Sequence, residues 1–357
     1  MVEDPLSSRR GFIGGVAAFA ACGMAIPSAA AKPMSKGVTR GIILSGRDLS
    51  GRLNWPKIAA EAGLTTIGTH VGPSDVLPFM RSGRGKRFVD ECAKHGIAVE
   101  HELHAMNDLL PRKYFADRPE LFRMNDKGER APDYNCCVSN PTAIEIVCAN
   151  AVRVAKEIPS STGRYFFWLA DGSNRCLCPK CTVLSGVDQA VILENAIVNA
   201  LRADVDPNAT LAHLSYDDKP TSSWFAPPHF TKPDPALFLE FAPFDRWHGK
   251  NMGVPLKDLP ACLANLDKLL KVFPASTAQV LEYWLDESFF SYRHRPRKAI
   301  PWNAQQAQAD LAEYIRRGIR HVTTFAVDMD DEYAAVVGPG AFDCVREYGS
   351  MLKRVIN

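Results

Sequence analysis

Cys176, Cys178 and Cys181 form a C-x-C-x2-C run, and Asp171-Gly172 stands just ahead of them at the end of an apolar segment. Clustered thiolates suit tetrahedral zinc, which takes four soft ligands in a structural site, so a fourth must arrive from another part of the chain. Cys136 and Cys137 are the candidates, and the expected metal set is Cys137, Cys176, Cys178 and Cys181, with Cys136 as the substitute for Cys137. Disulfide pairing is the competing chemistry in an exported protein, and it would leave an odd thiol among the cysteines that follow Cys22. Four thiolates leave no open position for water, so the metal is expected to clip loops together rather than to catalyse.

The acid has a different chemistry. Hydrolysing a glycosidic bond requires two carboxyl groups flanking the scissile oxygen, one protonated and one ionised. Asp171, carried on an Asp-Gly turn, is read as the general acid, and Glu282 as the opposing carboxylate; an ion pair with Arg246 is the alternative for either group. Around them, His70, Glu102, Tyr216, Asp217, Arg246, Trp247, Tyr283 and Trp284 are expected to hold substrate. Flat aromatic rings offer stacking surface for the apolar faces of sugars, and Trp224, Phe225 and Trp302 extend the same aromatic set. Two other functions stay open. A non-catalytic carbohydrate-binding barrel would share the aromatic cleft, and a metal-dependent hydrolase or isomerase would use His70, His101, His104 and Glu102.

The elements that must position these residues alternate regularly. Strands are predicted at Gly41 to Ser45, Leu64 to Val71, Ile97 to Leu103, Arg164 to Ala170, Thr210 to Tyr216, Ala236 to Phe241, Ala278 to Leu285 and His321 to Val327. Helical stripes lie between them: Ile144, Val147, Ala151, Val154 and Ile158 recur at three- and four-residue steps after Asn140-Pro141, and Ala307, Leu311 and Tyr314 repeat the pattern before Gly318. Strands apolar on both faces and joined through helices pair in parallel, and eight such units close an α/β fold of the single (β/α)8 TIM barrel type. Ser45-Gly46-Arg47-Asp48 is not the Gly-rich phosphate turn of a dinucleotide-binding sheet, which argues against that architecture and against an organic cofactor. The working face of such a barrel is the C-terminal end of its strands, where the acids and aromatics above fall.

A hydrophobic share of 46%, a charged share of 23% and a net charge of +2 describe an ordinary globular chain, with no electrostatic case for nucleic acid. Residues 1–31 read as an export signal rather than as structure: Ser8-Arg9-Arg10-Gly11-Phe12-Ile13 fits the twin-arginine pattern, and an apolar stretch follows to Ser28-Ala29-Ala30-Ala31. The expectation is a periplasmic or extracellular protein that meets the twin-arginine translocation machinery, with residues 32–357 as the barrel domain and no stable membrane span after signal removal. That route carries folded proteins, so zinc can be loaded in the reducing cytoplasm.

Cys137-Val138-Ser139-Asn140-Pro141, then strand four, Asp171-Gly172 and Cys176-Leu177-Cys178-Pro179-Lys180-Cys181, together resemble a family of secreted bacterial domains of unknown function. That family is similar to the barrel part of α-glucuronidases and hexosaminidase-type glycoside hydrolases. The resemblance spans roughly residues 38–355, with its distinctive motifs within 137–181. It implies a glycoside-hydrolase-like barrel, Asp171 in the place of the strand-four acid, and Cys137 as the lone upstream cysteine. The expected departure is a barrel without the small α+β domain that precedes it in those hydrolases. The carbohydrate itself is left unspecified.

Overall fold

A computed structural model of the chain describes residues 37–356 apart from 134, 172–174, 217–225, 248–252 and 292. The export signal, Asp217, Trp224 and Phe225 therefore lie outside the described residues. Eight strands form one closed parallel barrel in sequence order: β1 (Arg40–Ser45), β2 (Thr66–His70), β3 (Ala98–His104), β4 (Arg164–Trp168), β5 (Thr210–Tyr216), β6 (Leu237–Ala242), β7 (Gln279–Glu282) and β8 (His321–Phe325). Pairing of β8 with β1, Gly41 opposite Thr323 and Ile43 opposite Phe325, closes the ring. The single (β/α)8 barrel expected from the alternation is the fold observed.

The helices run α1 (Gly46–Leu49), α2 (Trp55–Ala62), α3 (Pro73–Arg81), α4 (Gly83–His95), α5 (Met106–Leu109), α6 (Pro141–Glu157), α7 (Gly186–Asp204), α8 (Pro260–Leu269), α9 (Glu287–Phe290), α10 (Ala304–Arg316), α11 (Asp331–Val337) and α12 (Asp343–Val355). Helix α6 begins where its residues require. The Asn140 side chain accepts the N–H groups of Thr142 and Ala143, and Pro141 sits in the first turn, where its missing N–H costs nothing. Its buried stripe is Ala143, Val147, Ala151, Val154 and Ala155. Helix α7 starts on a Ser185–Asp188 capping box. Asp188 also uses its second oxygen to accept the N–H groups of His229, Phe230 and Thr231, which fastens the end of the loop after β5 to this helix.

Strand alternation decides which side chains enter the barrel. Gln279 reaches across the interior to Glu102, Glu240 and Thr323, so the odd positions of β7 point inward and Glu282 points outward. Four strands, β2, β4, β7 and β8, are shorter than their apolar runs suggested. β4 stops at Trp168 because the Ala170 N–H turns to the Asn135 side chain, and β7 stops at Glu282, before the turn through Trp284 and Leu285. Among the described residues no helix is long and apolar enough to cross a membrane.

The outer helices meet closely at two glycines, Gly85 of α4 against Phe79 of α3 and Gly349 of α12 against α2. A Cβ on Gly349 of α12 would lie 2.2 Å from the Ala62 carbonyl oxygen at the end of α2, a backbone atom that cannot swing aside. Gly349→Ala gains about 1 kcal/mol of helix propensity but meets an overpacking cost of about 1–3 kcal/mol or more. The clash dominates at that distance, so a Tm lowered by a few degrees in a thermal melt is expected, and an unchanged or raised Tm would contradict this packing.

Candidate functional site

The four sulfurs of Cys137, Cys176, Cys178 and Cys181 lie within 4.8 Å of one another, and all four residues are buried. Cys137 Sγ stands 3.7 Å from Cys178 Sγ and 3.9 Å from Cys181 Sγ. A tetrahedral ion with bonds of about 2.3 Å to sulfur needs sulfurs about 3.8 Å apart, whereas a disulfide needs about 2.05 Å. The donor set and spacing therefore fit a thiophilic metal. Cys136, the alternative ligand, points away from the cluster into the core, where burial pushes its thiol up to about 12.

The loops around the sulfurs are built to hold thiolates. The Met124 N–H (3.3 Å) and the Arg130 guanidinium (3.8 Å) approach Cys176 Sγ, and the Ser139 hydroxyl lies within 3.5 Å of the sulfurs of Cys137, Cys178 and Cys181. Hydrogen bonds from Cys176 and Cys181, then Ser139 and Arg130, hold the Cys137 thiol well below its ordinary range. From α7, the Gln189 side chain accepts the Cys176 N–H and donates to the carbonyls of Cys176 and Cys181. An open depression of about 450 Å³, lined in part by Arg130, Ser139, Asn140 and Lys180, borders Cys137 and Cys178.

Asp171 leaves the end of β4 into the barrel mouth with its side chain 60% exposed. The Tyr216 hydroxyl, at the end of β5, donates to its Oδ1, and His104 Nε2, at the end of β3, stands 3.6 Å from its Oδ2. His104 and His70 lie against Trp168, and His70 also against Phe325, with Tyr283 beyond. Burial, reinforced by His104, lowers His70 to about 3. The ring is therefore neutral; its Nδ1–H donates to the Glu102 carbonyl at 2.7 Å, which leaves Nε2 as an acceptor. Across the mouth, after β7, Asp286 is buried with Oδ1 committed to the Ser288 N–H and hydroxyl. Burial first, and the negative charge of Asp328 next, push its carboxyl up to about 7 against those hydrogen bonds. Arg293 and Asp328, both close enough to act on Asp286, occupy the left-handed backbone region at φ 60° and 69°. Such conformations cost energy outside glycine and concentrate where a site demands a particular geometry.

The predicted substrate residues fall into three places. Tyr216, Tyr283 and His70 share the mouth with Asp171. Glu282, Arg246, Trp247 and Trp284 do not reach it. Glu282 is fully enclosed between β7 and α10, where Arg246 Nη2 donates to both its oxygens at 2.9 Å, the Tyr314 hydroxyl at 2.5 Å and Trp247 Nε1 at 3.2 Å. Asp310 takes a further bond from Arg246 at 2.8 Å and one from Trp284 Nε1 at 3.3 Å. The expectation that Glu282 opposes Asp171 is corrected: its strand position faces the helices, and it is the buried partner of Arg246, as the ion-pair alternative held. The substrate-binding expectations for Arg246, Trp247 and Trp284 fall with it.

Glu102 occupies the third place, inside the barrel below the mouth. Glu100, Glu102 and Glu240 are all fully buried there with Arg164 and Gln279. Trp168 Nε1 donates to Glu240 at 2.7 Å, and Gln279 links Glu240 to Glu102, whose Oε2 has no partner among the described residues. Burial pushes Glu240 up to about 8 and raises Glu102 as well; the charge of Glu100 adds to both, and that of Glu240 adds to Glu102. Glu102 is thus a core residue rather than a substrate contact. His101 faces outward onto Thr69, so His70, His101, His104 and Glu102 do not converge as ligands of one ion.

Residues 80–286 match the family model described as a domain of unknown function (DUF4838). No curated protein matches the chain. Among solved structures, the β-galactosidase from Rahnella sp. R3 is similar over 90% of this chain and 57% of that one, at 13% identity and a TM-score of 0.61. The β-galactosidase from Halorubrum lacusprofundi covers 88% and 57% at 11% identity and 0.54. A glycoside hydrolase family 5 enzyme from Prevotella bryantii B14 covers 87% and 95% at 13% identity and 0.50. The chain thus spans little more than half the length of the two β-galactosidases, and these likenesses establish the fold.

The interior acids generate a pH prediction. Their raised values mean that the folded barrel binds protons more tightly than the unfolded chain. The stability they contribute is complete below the ordinary glutamate value of 4.5 and is lost as pH rises through about 8. Glu102→Gln keeps the acceptor used by Gln279 and places an amide where Oε2 has no partner. The variant is expected to exceed the natural protein by about 1–3 kcal/mol in urea unfolding at pH 8, with the gap shrinking towards pH 5. An equal gap at both pH values would count against this.

Proposed function

The chain belongs to the DUF4838 family, and from that premise we propose that it is a glycoside-hydrolase-like enzyme acting on carbohydrate at the mouth of its barrel. The observation that carries this reading is Asp171: an exposed carboxyl at the end of β4, fixed by Tyr216, beside His104, over a floor of Trp168, Tyr283 and Phe325. Aromatic faces next to a positioned carboxyl suit a sugar ring and its reacting oxygen.

The second carboxyl passes from Glu282 to Asp286. It follows the same strand, and among the described residues its Oδ2 takes part in no hydrogen bond while Oδ1 is held by Ser288. With burial bringing it to about 7, it retains a proton in a large fraction of molecules at neutral pH, the condition a general acid needs. Asp171, the solvent-facing acceptor of the Tyr216 hydroxyl, takes the ionised role, activating water or attacking the sugar. This division exchanges the roles read from the sequence.

The four thiolates are assigned to zinc, which would supply a fixed tetrahedral junction between the loops after β3 and β4 and no open position for chemistry. The twin-arginine segment supports export to the periplasm or beyond.

Incubation of the mature protein with a panel of oligosaccharides is expected to give turnover on at least one, reduced about 10²–10⁴-fold in Asp171→Asn and in Asp286→Asn. Turnover surviving in Asp171→Asn would end the assignment, and binding without turnover in all three proteins would favour a non-catalytic carbohydrate-binding barrel. Elemental analysis should find one zinc per chain, lost in Cys178→Ser together with several degrees of Tm.

A further inference from the structure

We propose that Asn135 couples the thiolate centre to Asp171, so that metal occupancy sets where the strand-four carboxyl stands. This deepens the preceding reading and rests on it for the importance of Asp171. The coupling runs through covalent neighbours and one hydrogen bond. Asp171 follows Ala170 directly. The Ala170 N–H, beyond the last residue of β4, donates to Asn135 Oδ1 at 3.0 Å. Asn135 is buried and stands two residues before the ligand Cys137.

The segment that carries Asn135 is itself held at the centre. Cys136 forms an antiparallel bridge with Phe122, and the Cys137 N–H donates to the Leu121 carbonyl at 2.9 Å. From the other loop, the Leu177 N–H donates to the Met124 carbonyl at 2.9 Å, while the Met124 N–H points to Cys176 Sγ. Residues 121–124, 135–137 and 176–181 therefore form one unit around the sulfurs. Without an ion, four close thiolates repel or take up protons, and the pull that seats Cys137 against the other three is gone. Asn135 would then shift with Cys137, and the Ala170 amide would lose its acceptor.

The Asn135 amide group is equally informative, because Nδ2 is buried with no partner among the described residues. Only the carbonyl oxygen is used. Asn135→Asp retains that acceptor and removes an unused donor, whereas Asn135→Ala removes the acceptor. A residue that merely filled space would not separate these two variants in this way.

The test is amide hydrogen exchange resolved at Ala170, with metal content measured on the same samples of full-length mature protein loaded with zinc. The expected results are exchange at Ala170 about tenfold faster in chelator-stripped protein and in zinc-loaded Asn135→Ala, zinc retained at one per chain in both Asn135 variants, and near-natural exchange in Asn135→Asp. Should stripping unfold the whole barrel, seen as lost protection in β1 and β8, the zinc-loaded Asn135→Ala arm decides. Unchanged exchange at Ala170 in that arm, loss of zinc from it, or failure of the natural protein to take up zinc would overturn the coupling. Neither readout is turnover. A barrel without hydrolase activity leaves the coupling standing, and an active barrel with unaltered Ala170 exchange removes only the coupling.

Discussion

In a closed ring of parallel strands every residue has one of two addresses, the lumen or the helix layer, and closure by the β1–β8 pairing makes the choice for all eight strands together. A single-residue slip would exchange the two sets. The phase observed sends His70, His104, Trp168, Tyr216, Tyr283 and Phe325 to one mouth, and sends Glu282 to the opposite side of its strand, against α10. Two neighbours in sequence, Glu282 and Tyr283, consequently have unrelated lives.

The same constraint explains why the lumen can be charged. Small residues at Gly41 and Gly68 leave room there, and a Cβ at Gly68 would come within 3.3 Å of the Glu102 carboxyl. Burial is the main cause of the raised values of Glu100, Glu102 and Glu240, and Arg164, a single positive charge among three acids, opposes it only in part. The Glu282 cluster takes the other solution. There Arg246 shares its one positive charge between Glu282 and Asp310, while Tyr314, Trp247 and Trp284 complete the hydrogen bonds. Buried ions survive where each oxygen has a donor.

Above the barrel, the long connection after β3 folds back on the loop after β4 without forming a strand or a long helix of its own. That segment buries Met106, Leu109, Leu110, Leu121 and Phe122 in the core, and the four sulfurs join it to the loop after β4. The acid at the end of β4 thus stands between the aromatic floor of the mouth and a loop junction drawn together at four sulfurs.

Much of this was legible in the chain. Alternating apolar runs imply eight strands and a barrel because strand and helix periods are local properties of neighbouring residues. The C-x-C-x2-C run implies a ligand cluster because three of its members are close in sequence, and Asp-Gly after an apolar strand implies a carboxyl on an exposed turn. What the tertiary structure alone decided was every question of facing. Gln279-Val280-Leu281-Glu282 carries no polar alternation to reveal its phase, so Glu282 could be read as a mouth residue until Gln279 was seen to cross the lumen. The same holds for Cys137 over Cys136, which differ by one residue and point opposite ways, for Asp286, and for Asn135, whose partner lies 35 residues away. Spacing along a chain determines what a residue can be, but which groups meet depends on how distant segments are rotated when the ring closes.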